Sequence, residues 1–291
     1  MDSLTKTIVL ARIHARAERE KKQRVLWRED ADFKETIRAK LAGLWEDNQF
    51  WNFSRCGSED FFRTCRSCRA VEKMKARCNL KWCPLCSWRL TEKRKRILQL
   101  WSARISQPKH LVLTQKNFQV LTCGRLRENT RALAAMRRTR AMSAVKGGCV
   151  SVEITNEGNG WHLHSHWLID CRWLDMEKVS RAWAKQVGQQ FAICKIMDVR
   201  ERDYLREVTK YVVEGSELAK WPADQIHEFV RAVKGRRFFF PFGSLFHQSK
   251  EIRKELRAEQ AEPAACECGC TDFIYEDEVA ALVNQLRREK H

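Results

Sequence analysis

The sequence predicts an α+β fold in which helices flank a mainly antiparallel sheet. Short apolar, β-branched stretches alternate along the chain with longer stretches of helical periodicity. Two of the strand-like stretches are joined by residues 156–159 (Asn-Glu-Gly-Asn), which tolerate the positive φ of a hairpin turn. At 291 residues the chain is long enough for about two domains with a sizeable core.

Residues 1–50 are basic and helical in composition and are expected to form an arm. A cysteine-dense segment at 56–88 precedes the helix TEKRKRILQLW. A strand is predicted at 109–115, a basic helix at about 125–145 and two hairpin strands within 147–170. They are followed by a helix at 174–188, a strand at 191–199, a helix at 201–215 that ends at Gly215 as its C-terminal cap, and a helix at 224–234. The last predicted elements are an apolar stretch at 235–246, broken by Pro241 and Gly243, and a charged helical stretch before a CECGC cluster.

The charge of the chain indicates an acidic polymer as its partner. The formal net charge is +18 and the pI is about 9.6. Basic side chains concentrate in residues 61–100 and 125–146, which favours nucleic acid over a merely solvated basic surface. No apolar run is long enough to span a membrane, and the N-terminus lacks a signal-peptide pattern. We therefore expect an intracellular protein whose cysteines are reduced and serve as metal ligands.

Three of the eight histidines occupy alternate positions in the second hairpin strand. Alternation places His162, His164 and His166 on one face of the strand. Folding the hairpin about 156–159 brings Glu153 roughly opposite His162, on the same face. Imidazoles with a carboxylate suit Mg²⁺, Mn²⁺ or Zn²⁺, so the pattern predicts a metal site. The alternative is a solvated face with coincidental histidines.

Two of the three tyrosines lie in the predicted helix at 201–215. Tyr204, Glu207 and Tyr211 are spaced by three and four residues and share a helical face, whereas Lys210 lies about 100° from Tyr211. A tyrosine phenol can attack a phosphodiester, and a nearby carboxylate can activate water or accept a proton. The alternative is that both tyrosines are packing residues.

The cysteine-dense segment predicts structural zinc. Cys65-x-x-Cys68 and Cys83-x-x-Cys86 are separated by fourteen residues, close to the spacing of a zinc knuckle pair, and Cys56 and Cys78 are further candidate ligands. Such a module would grip DNA phosphates. Within it, Trp82 and Trp88 either stack on bases or belong to the core. Near the C-terminus, three cysteines are too closely spaced to hold one ion by themselves and could complete a site with a distant cysteine: Cys266, Cys268 and Cys270.

Three motifs resemble, in order, those of the HUH endonucleases that initiate rolling-circle replication in small plasmids and single-stranded phages. HLVLTQKN at 110–117 resembles the first motif, WHLHSHWLI at 161–169 the metal-binding second, and EVTKY at 207–211 the third. CNLKWCPLCSWR resembles a cysteine element that precedes the first motif in plasmid-type initiators. This last resemblance favours Cys78, Cys83 and Cys86 as zinc ligands and leaves the fourth ligand open.

The resemblance implies a role for each matching residue. His164 and His166 would be the metal pair, Tyr211 the nucleophile, and Glu207 the carboxylate that ends replication by hydrolysis. Position 165, usually hydrophobic in the family, is Ser, so the pair His162 and His164 stays an alternative. Tyr204 is an available second nucleophile.

The implied activity is metal-dependent nicking and joining of one DNA strand. The enzyme would bind Mg²⁺ or Mn²⁺, stay on the 5′ end through a phosphotyrosine and leave a 3′-hydroxyl. The expected partners are single-stranded or extruded origin DNA and a host helicase and polymerase, in a prokaryotic cytoplasm. Two rivals are an HUH-type transposase and a noncatalytic zinc-dependent nucleic-acid-binding protein.

We expect four parts in the chain. They are a basic helical arm at 1–55, a zinc-binding, DNA-gripping module at 56–105, an HUH endonuclease domain at 106–250 and a charged tail at 251–291 that contains the CECGC cluster. The candidate DNA contacts are Arg89, Lys93, Arg94 and Lys210.

Overall fold

The computed structural model describes residues 28–275, apart from positions 46, 106, 200–204, 206–207, 210–212, 260–265 and 267. Its helices are α1 (28–41), α2 (Asn48–Arg55), α3 (Pro84–Ser102), α4 (Cys123–Met136), α5 (Met176–Gln186), α6 (Gly215–Leu218), α7 (Ala223–Val233) and α8 (Gly243–Glu259), with a 3₁₀ turn at Arg140–Met142. Its strands are β1 (Asp60–Cys65), β2 (Val71–Lys75), β3 (Pro108–Thr114), β4 (Gly147–Asn156), β5 (Trp161–Asp170), β6 (Cys194–Asp198), β7 (Phe239–Phe242) and β8 (Phe273–Tyr275).

The strands of the described residues form two sheets in which neighbouring strands pair antiparallel. The larger sheet has the order β6-β3-β5-β4-β7, so the histidine strand β5 is central. The smaller sheet has the order β2-β1-β8. This confirms the predicted α+β class with antiparallel sheets flanked by helices. Pro241 lies in β7 at the edge of the larger sheet, where a missing backbone donor costs least.

The β4–β5 hairpin differs from the predicted register by two residues. Asn156 stays in the ladder opposite Trp161, so Glu153 pairs with His164 and Thr155 pairs with His162. The predicted pairing of Glu153 with His162 was therefore wrong. The Asn156 side chain accepts a hydrogen bond from the Gly158 amide at 3.0 Å, which closes the loop beyond the strand end. Because side chains alternate with a period of two, a two-residue shift keeps Glu153 on the histidine face.

The two faces of the larger sheet bury different helices. One face carries Val152, Leu163 and Trp167 and packs against residues of α4, α5 and α7 in the main hydrophobic cluster. The opposite face, which carries the histidines, is covered at its Cys149 and Leu168 end. There Cys149 and Leu168 belong to a second hydrophobic cluster. Its other buried members are Leu98 and Trp101 of α3, Leu205 and Val208, and Leu245, Ile252 and Leu256 of α8.

Ser165, the departure from the family pattern, lies on the apolar face and is buried. Its hydroxyl donates to the Leu113 carbonyl at 3.1 Å and accepts from the Trp167 indole at 3.0 Å. A buried hydroxyl with both partners satisfied costs little stability, so serine is accommodated between the histidines without changing their face.

Two glycines near the start of β4 and α8 permit a close backbone approach. A Cβ on Gly147 would lie 2.2 Å from the Ser244 amide nitrogen, and Gly243 has φ +53°. Gly215, predicted to cap the end of a helix, instead begins α6, so that prediction was wrong. A Cβ there would lie 2.9 Å from the Pro84 ring, which makes close packing against α3 the reason for glycine.

Candidate functional site

A column of imidazoles lies along the histidine face of the sheet. The ring centroids of His162 and His164 are 4.2 Å apart, and those of His164 and His166 are 6.3 Å apart. His110 of β3 extends the column, with its ring centroid 5.5 Å from that of His166. The alternation of β5 thus places the three predicted histidines on one side, and β3 adds a fourth that the motif analysis did not single out.

His166 has partners at both ring nitrogens. Its Nε2 lies 3.1 Å from a Glu153 carboxylate oxygen, and its Nδ1 lies 3.3 Å from His110 Nε2. An ionised carboxylate only accepts, so His166 donates to Glu153 and, when neutral, accepts from His110. All three residues are buried. This arrangement engages the nitrogens that His166 would need for a metal.

His162, by contrast, has a partner at only one of its two ring nitrogens among the described residues. Its Nδ1 lies 2.5 Å from the Asn117 side-chain oxygen, and the Asn117 amide nitrogen donates to the Asn159 carbonyl at 3.2 Å. Asn117 therefore accepts the Nδ1–H, which leaves a lone pair at Nε2. Within the described part of the chain, that Nε2 is buried and has no hydrogen-bond partner. Burial also lowers the pKa of His162, which favours the neutral, metal-binding form.

The buried His162 Nε2, which has no partner among the described residues, is a donor atom that fits a divalent cation. The His164 ring stacks beside it, with the two ring centroids 4.2 Å apart. Among the residues that the structure describes, the groups of three or more metal ligands consist of cysteines. A two-histidine site would thus keep coordination positions open for a phosphate.

Glu217 is a half-buried carboxyl beside the hairpin loop that sequence analysis did not single out. It accepts a hydrogen bond from the Asn156 amide at 3.3 Å. Burial, reinforced by the nearby carboxylates of Glu153, Glu214 and Glu157, raises the pKa of Glu217 to about 7. No local sequence pattern marks it, because its environment comes from α6 folding against β4.

Replacing Glu217 with Gln is expected to make stability less sensitive to pH. A folded-state pKa above the ordinary value of 4.5 means that the free energy of unfolding falls as the pH rises from about 4.5 through 7. The variant should gain about 1 kcal/mol at pH 8 and almost nothing at pH 4, a figure reduced for the partial exposure of the group. Urea unfolding at both pH values measures this. Equal gains at both would contradict it.

The predicted catalytic residues Glu207 and Tyr211, the alternative nucleophile Tyr204 and the candidate DNA contact Lys210 lie outside the described residues. Their described neighbours Leu205, Val208 and Thr209 are buried. Leu205 and Val208 pack with Cys149 and Leu168 on the histidine face. The Thr91 hydroxyl of α3 donates to the Thr209 carbonyl at 3.2 Å. Leu205 and Val208, which are close in sequence to the predicted catalytic residues, therefore lie against the face that carries the imidazoles.

The candidate DNA contacts on α3 differ in exposure. Arg89 and Lys93 are exposed and lie one helical turn apart. Arg94 instead packs over the Phe239 ring at 5.2 Å, and its burial lowers its pKa. Trp82, left open as a base-stacking residue, is buried with its ring centroid 4.8 Å from that of Phe53. It is therefore a core residue.

The cysteines of the 56–88 segment form two groups, not one knuckle pair. Cys56, Cys78, Cys83 and Cys86 come together, with Cys56 Sγ 3.5 Å from Cys86 Sγ and 3.8 Å from Cys83 Sγ. Hydrogen bonding from the Cys78 thiol is the main cause that lowers the pKa of Cys56. The second group contains Cys65, Cys68, Cys266 and Cys268. The predicted pairing of Cys65-x-x-Cys68 with Cys83-x-x-Cys86 is corrected, and Cys56 is the fourth member that sequence left open.

No helix in the described part of the chain combines the length and apolar character that a membrane crossing needs.

No curated protein and no solved structure matches this chain. A family model described as "Replication protein" (Rep_1) matches residues 71–281. That range includes the histidine strand, the tyrosine segment and members of both cysteine groups. The chain belongs to the Rep_1 replication protein family.

Proposed function

We propose that this replication protein starts rolling-circle replication of a plasmid by nicking one origin strand through a covalent tyrosine intermediate. The observation that carries the proposal is the imidazole column on the central strand, whose buried His162 Nε2 lacks a partner among the described residues. Membership of the replication protein family supports this over the transposase alternative. Residues 106–250 are the proposed endonuclease domain.

His162 and His164 would hold Mg²⁺ or Mn²⁺. Bound there, the cation would supply Lewis-acid polarisation of the scissile phosphate. Asn117 keeps His162 in the tautomer that exposes its Nε2 lone pair. Glu153 and His110 hold His166 beside this pair. We therefore favour His162 and His164 over the pair His164 and His166, and assign His166 a positioning role.

Tyr211 is the proposed nucleophile. Its phenol oxygen would attack the phosphorus, forming a bond to the 5′-phosphate while the bond to the 3′-oxygen breaks. The phenol loses its proton, and the departing 3′-oxygen takes one up to become the 3′-hydroxyl that a host polymerase extends. Support comes from Thr209, buried and only two residues earlier in the sequence, and from Val208 packed on the histidine face.

Glu207 is the proposed general base for termination. It would take a proton from water, whose oxygen attacks the phosphotyrosine and releases the 5′-phosphate and the phenol. Tyr204 is the alternative group for this step, by a second transesterification. Single-stranded DNA would reach the site along α3, where Arg89 and Lys93 present exposed positive charge. Lys210 is proposed as a further phosphate contact, and a host helicase as the partner that unwinds the nicked duplex.

Substitution of the histidines tests the metal site. We expect His162→Ala and His164→Ala to lower Mn²⁺-dependent nicking of single-stranded DNA from the protein's own replicon by on the order of 10²-fold or more. Both variants should also weaken Mn²⁺ binding measured by electron paramagnetic resonance. Asn117→Ala should weaken that binding about tenfold, because it only orients a ligand.

The matched control is His247→Ala, since His247 is exposed on α8 and its ring lies against Phe246. It should leave both measurements unchanged. If His166→Ala abolishes Mn²⁺ binding while His162→Ala does not, the ligand pair is His164 and His166. If the wild-type protein binds DNA but neither binds Mn²⁺ nor nicks any single strand, the protein is a noncatalytic DNA-binding protein.

A further inference from the structure

Cys65, Cys68, Cys266 and Cys268 form a four-thiol group from residues about two hundred positions apart in the sequence. Cys65 Sγ lies 3.7 Å from Cys268 Sγ, and Cys68 Sγ lies 3.3 Å from Cys266 Sγ. Four sulfurs bound tetrahedrally to zinc at about 2.3 Å are about 3.8 Å apart. All four thiols are free, and their separations are far longer than a disulfide bond.

The backbone around these cysteines forms two tight turns that face each other. In the first turn, the Arg69 amide donates a hydrogen bond to the Cys65 carbonyl at 3.0 Å, and Arg69 has φ +63°. In the second, the Gly269 amide donates to the Cys266 carbonyl at 2.7 Å, with Gly269 at φ +83°. Strand β1 leads into the first turn, and β8 follows the second. Because β1 pairs with β8, the two turns are held side by side.

Among the described residues, this small sheet has little apolar contact of its own. Its buried cluster consists of Cys65, Cys266 and Phe273, with Cys270 packed against it, and it is separate from the two larger clusters. The Arg63 guanidinium over the Phe273 ring at 3.8 Å and the exposed Arg66–Asp272 ion pair add only modest stability. Modules with so small a core usually depend on a metal or a disulfide.

We propose that this group binds a second structural Zn²⁺, which fastens the segment 266–275 to strand β1 as a zinc-ribbon module. Four sulfur donors in tetrahedral spacing select zinc over the hard cations proposed for the histidines. The ion at this site is independent of the proposed nicking reaction. Cys68 and Cys268 are exposed, whereas the Cys56 group is buried or half-buried, so this zinc is the more accessible of the two.

Cys270 provides a matched control within the same loop. It lies outside the four-thiol group, and its sulfur accepts a hydrogen bond from the Asp272 amide at 3.4 Å. Serine can accept the same bond. Cys268→Ser and Cys270→Ser therefore make the same chemical change two residues apart, and only the first removes a ligand of the proposed site.

Zinc content of the full-length protein, purified without chelators and measured by inductively coupled plasma mass spectrometry, tests the proposal. We expect two zinc ions per chain in the wild-type protein and in Cys270→Ser, and one in Cys268→Ser. Because Cys68 and Cys268 would bind the same ion, the double variant Cys68→Ser/Cys268→Ser should also retain one zinc ion per chain. Cobalt substitution should give tetrahedral thiolate absorption that falls by half in Cys268→Ser.

Equal zinc contents for Cys268→Ser and Cys270→Ser would overturn the proposal, whatever the total zinc content of the wild-type protein. A native disulfide within the group, detected by mass spectrometry, would do the same. Circular dichroism shows whether Cys268→Ser is folded. If it is not, the wild-type protein decides the matter: brief chelation should remove one zinc ion and raise hydrogen exchange at 266–275, whereas unchanged exchange contradicts the assignment. None of these readouts depends on nicking, so the proposed function can fail separately.

Discussion

Tyr211→Phe is expected to abolish the covalent protein–DNA adduct. Removing the phenol oxygen removes the proposed nucleophile, so we expect nicking to fall by on the order of 10³-fold or more. DNA affinity should change by no more than about twofold, because one hydroxyl adds little to a binding surface dominated by charge. Denaturing gel electrophoresis of protein incubated with labelled origin single strands and Mn²⁺ measures the adduct, and filter binding measures the affinity.

Tyr204→Phe is the matched control for this substitution, since it removes a phenol from the same segment of the chain. It should still form the adduct at a rate close to that of the wild-type protein. An adduct that persists in Tyr211→Phe and disappears in Tyr204→Phe would assign the nucleophile to Tyr204. Mass spectrometry of the nucleotide-linked peptide identifies the attached residue directly.

Cys83→Ser is expected to cause the largest loss of stability among the substitutions considered. Cys56, Cys83 and Cys86 belong to the main hydrophobic cluster, together with Phe53 and Trp82. If the Cys56 group holds a structural zinc, as the sequence predicts, the substitution removes one of its ligands and leaves buried thiols without a cation. A structural zinc contributes apparent binding free energies of about 10–16 kcal/mol in small modules, so a loss of several kcal/mol is expected here.

Thermal unfolding with zinc analysis measures this effect. Cys194→Ser is the control, because Cys194 is half-buried at the start of β6 and lies outside both cysteine groups. It should lower the free energy of unfolding by about 1 kcal/mol, within the range of an ordinary substitution, and should not change the zinc content. If Cys83→Ser keeps the wild-type zinc content and melting temperature, the Cys56 group is not a metal site.

Local sequence patterns predicted much of the larger sheet. The alternation of His162, His164 and His166 gave their common face correctly, because the period of a strand is independent of its partners. The turn residues after β4 predicted a hairpin, but its register missed by two because Asn156 extends the ladder. The ordered motifs predicted a replication initiator, and the family match confirms that the chain is a replication protein.

The grouping of the cysteines was decided only by tertiary structure. The two C-x-x-C units are close in sequence, yet Cys65 and Cys68 join Cys266 and Cys268 because β8 pairs with β1. Spacing specifies which side chains a turn can bring together, and it carries no information on which distant turn will face it. Long-range strand pairing makes that choice.

By itself, the sequence determined the class of fold, the face on which the imidazoles lie and the family to which the chain belongs. Only the folded chain decided which imidazole nitrogens are engaged, with Glu153 and His110 flanking His166 and the Asn117 side chain bonded to His162 Nδ1. The reason is physical: periodicity is a property of a single element, whereas hydrogen-bond partners and metal ligands depend on how separate elements pack together.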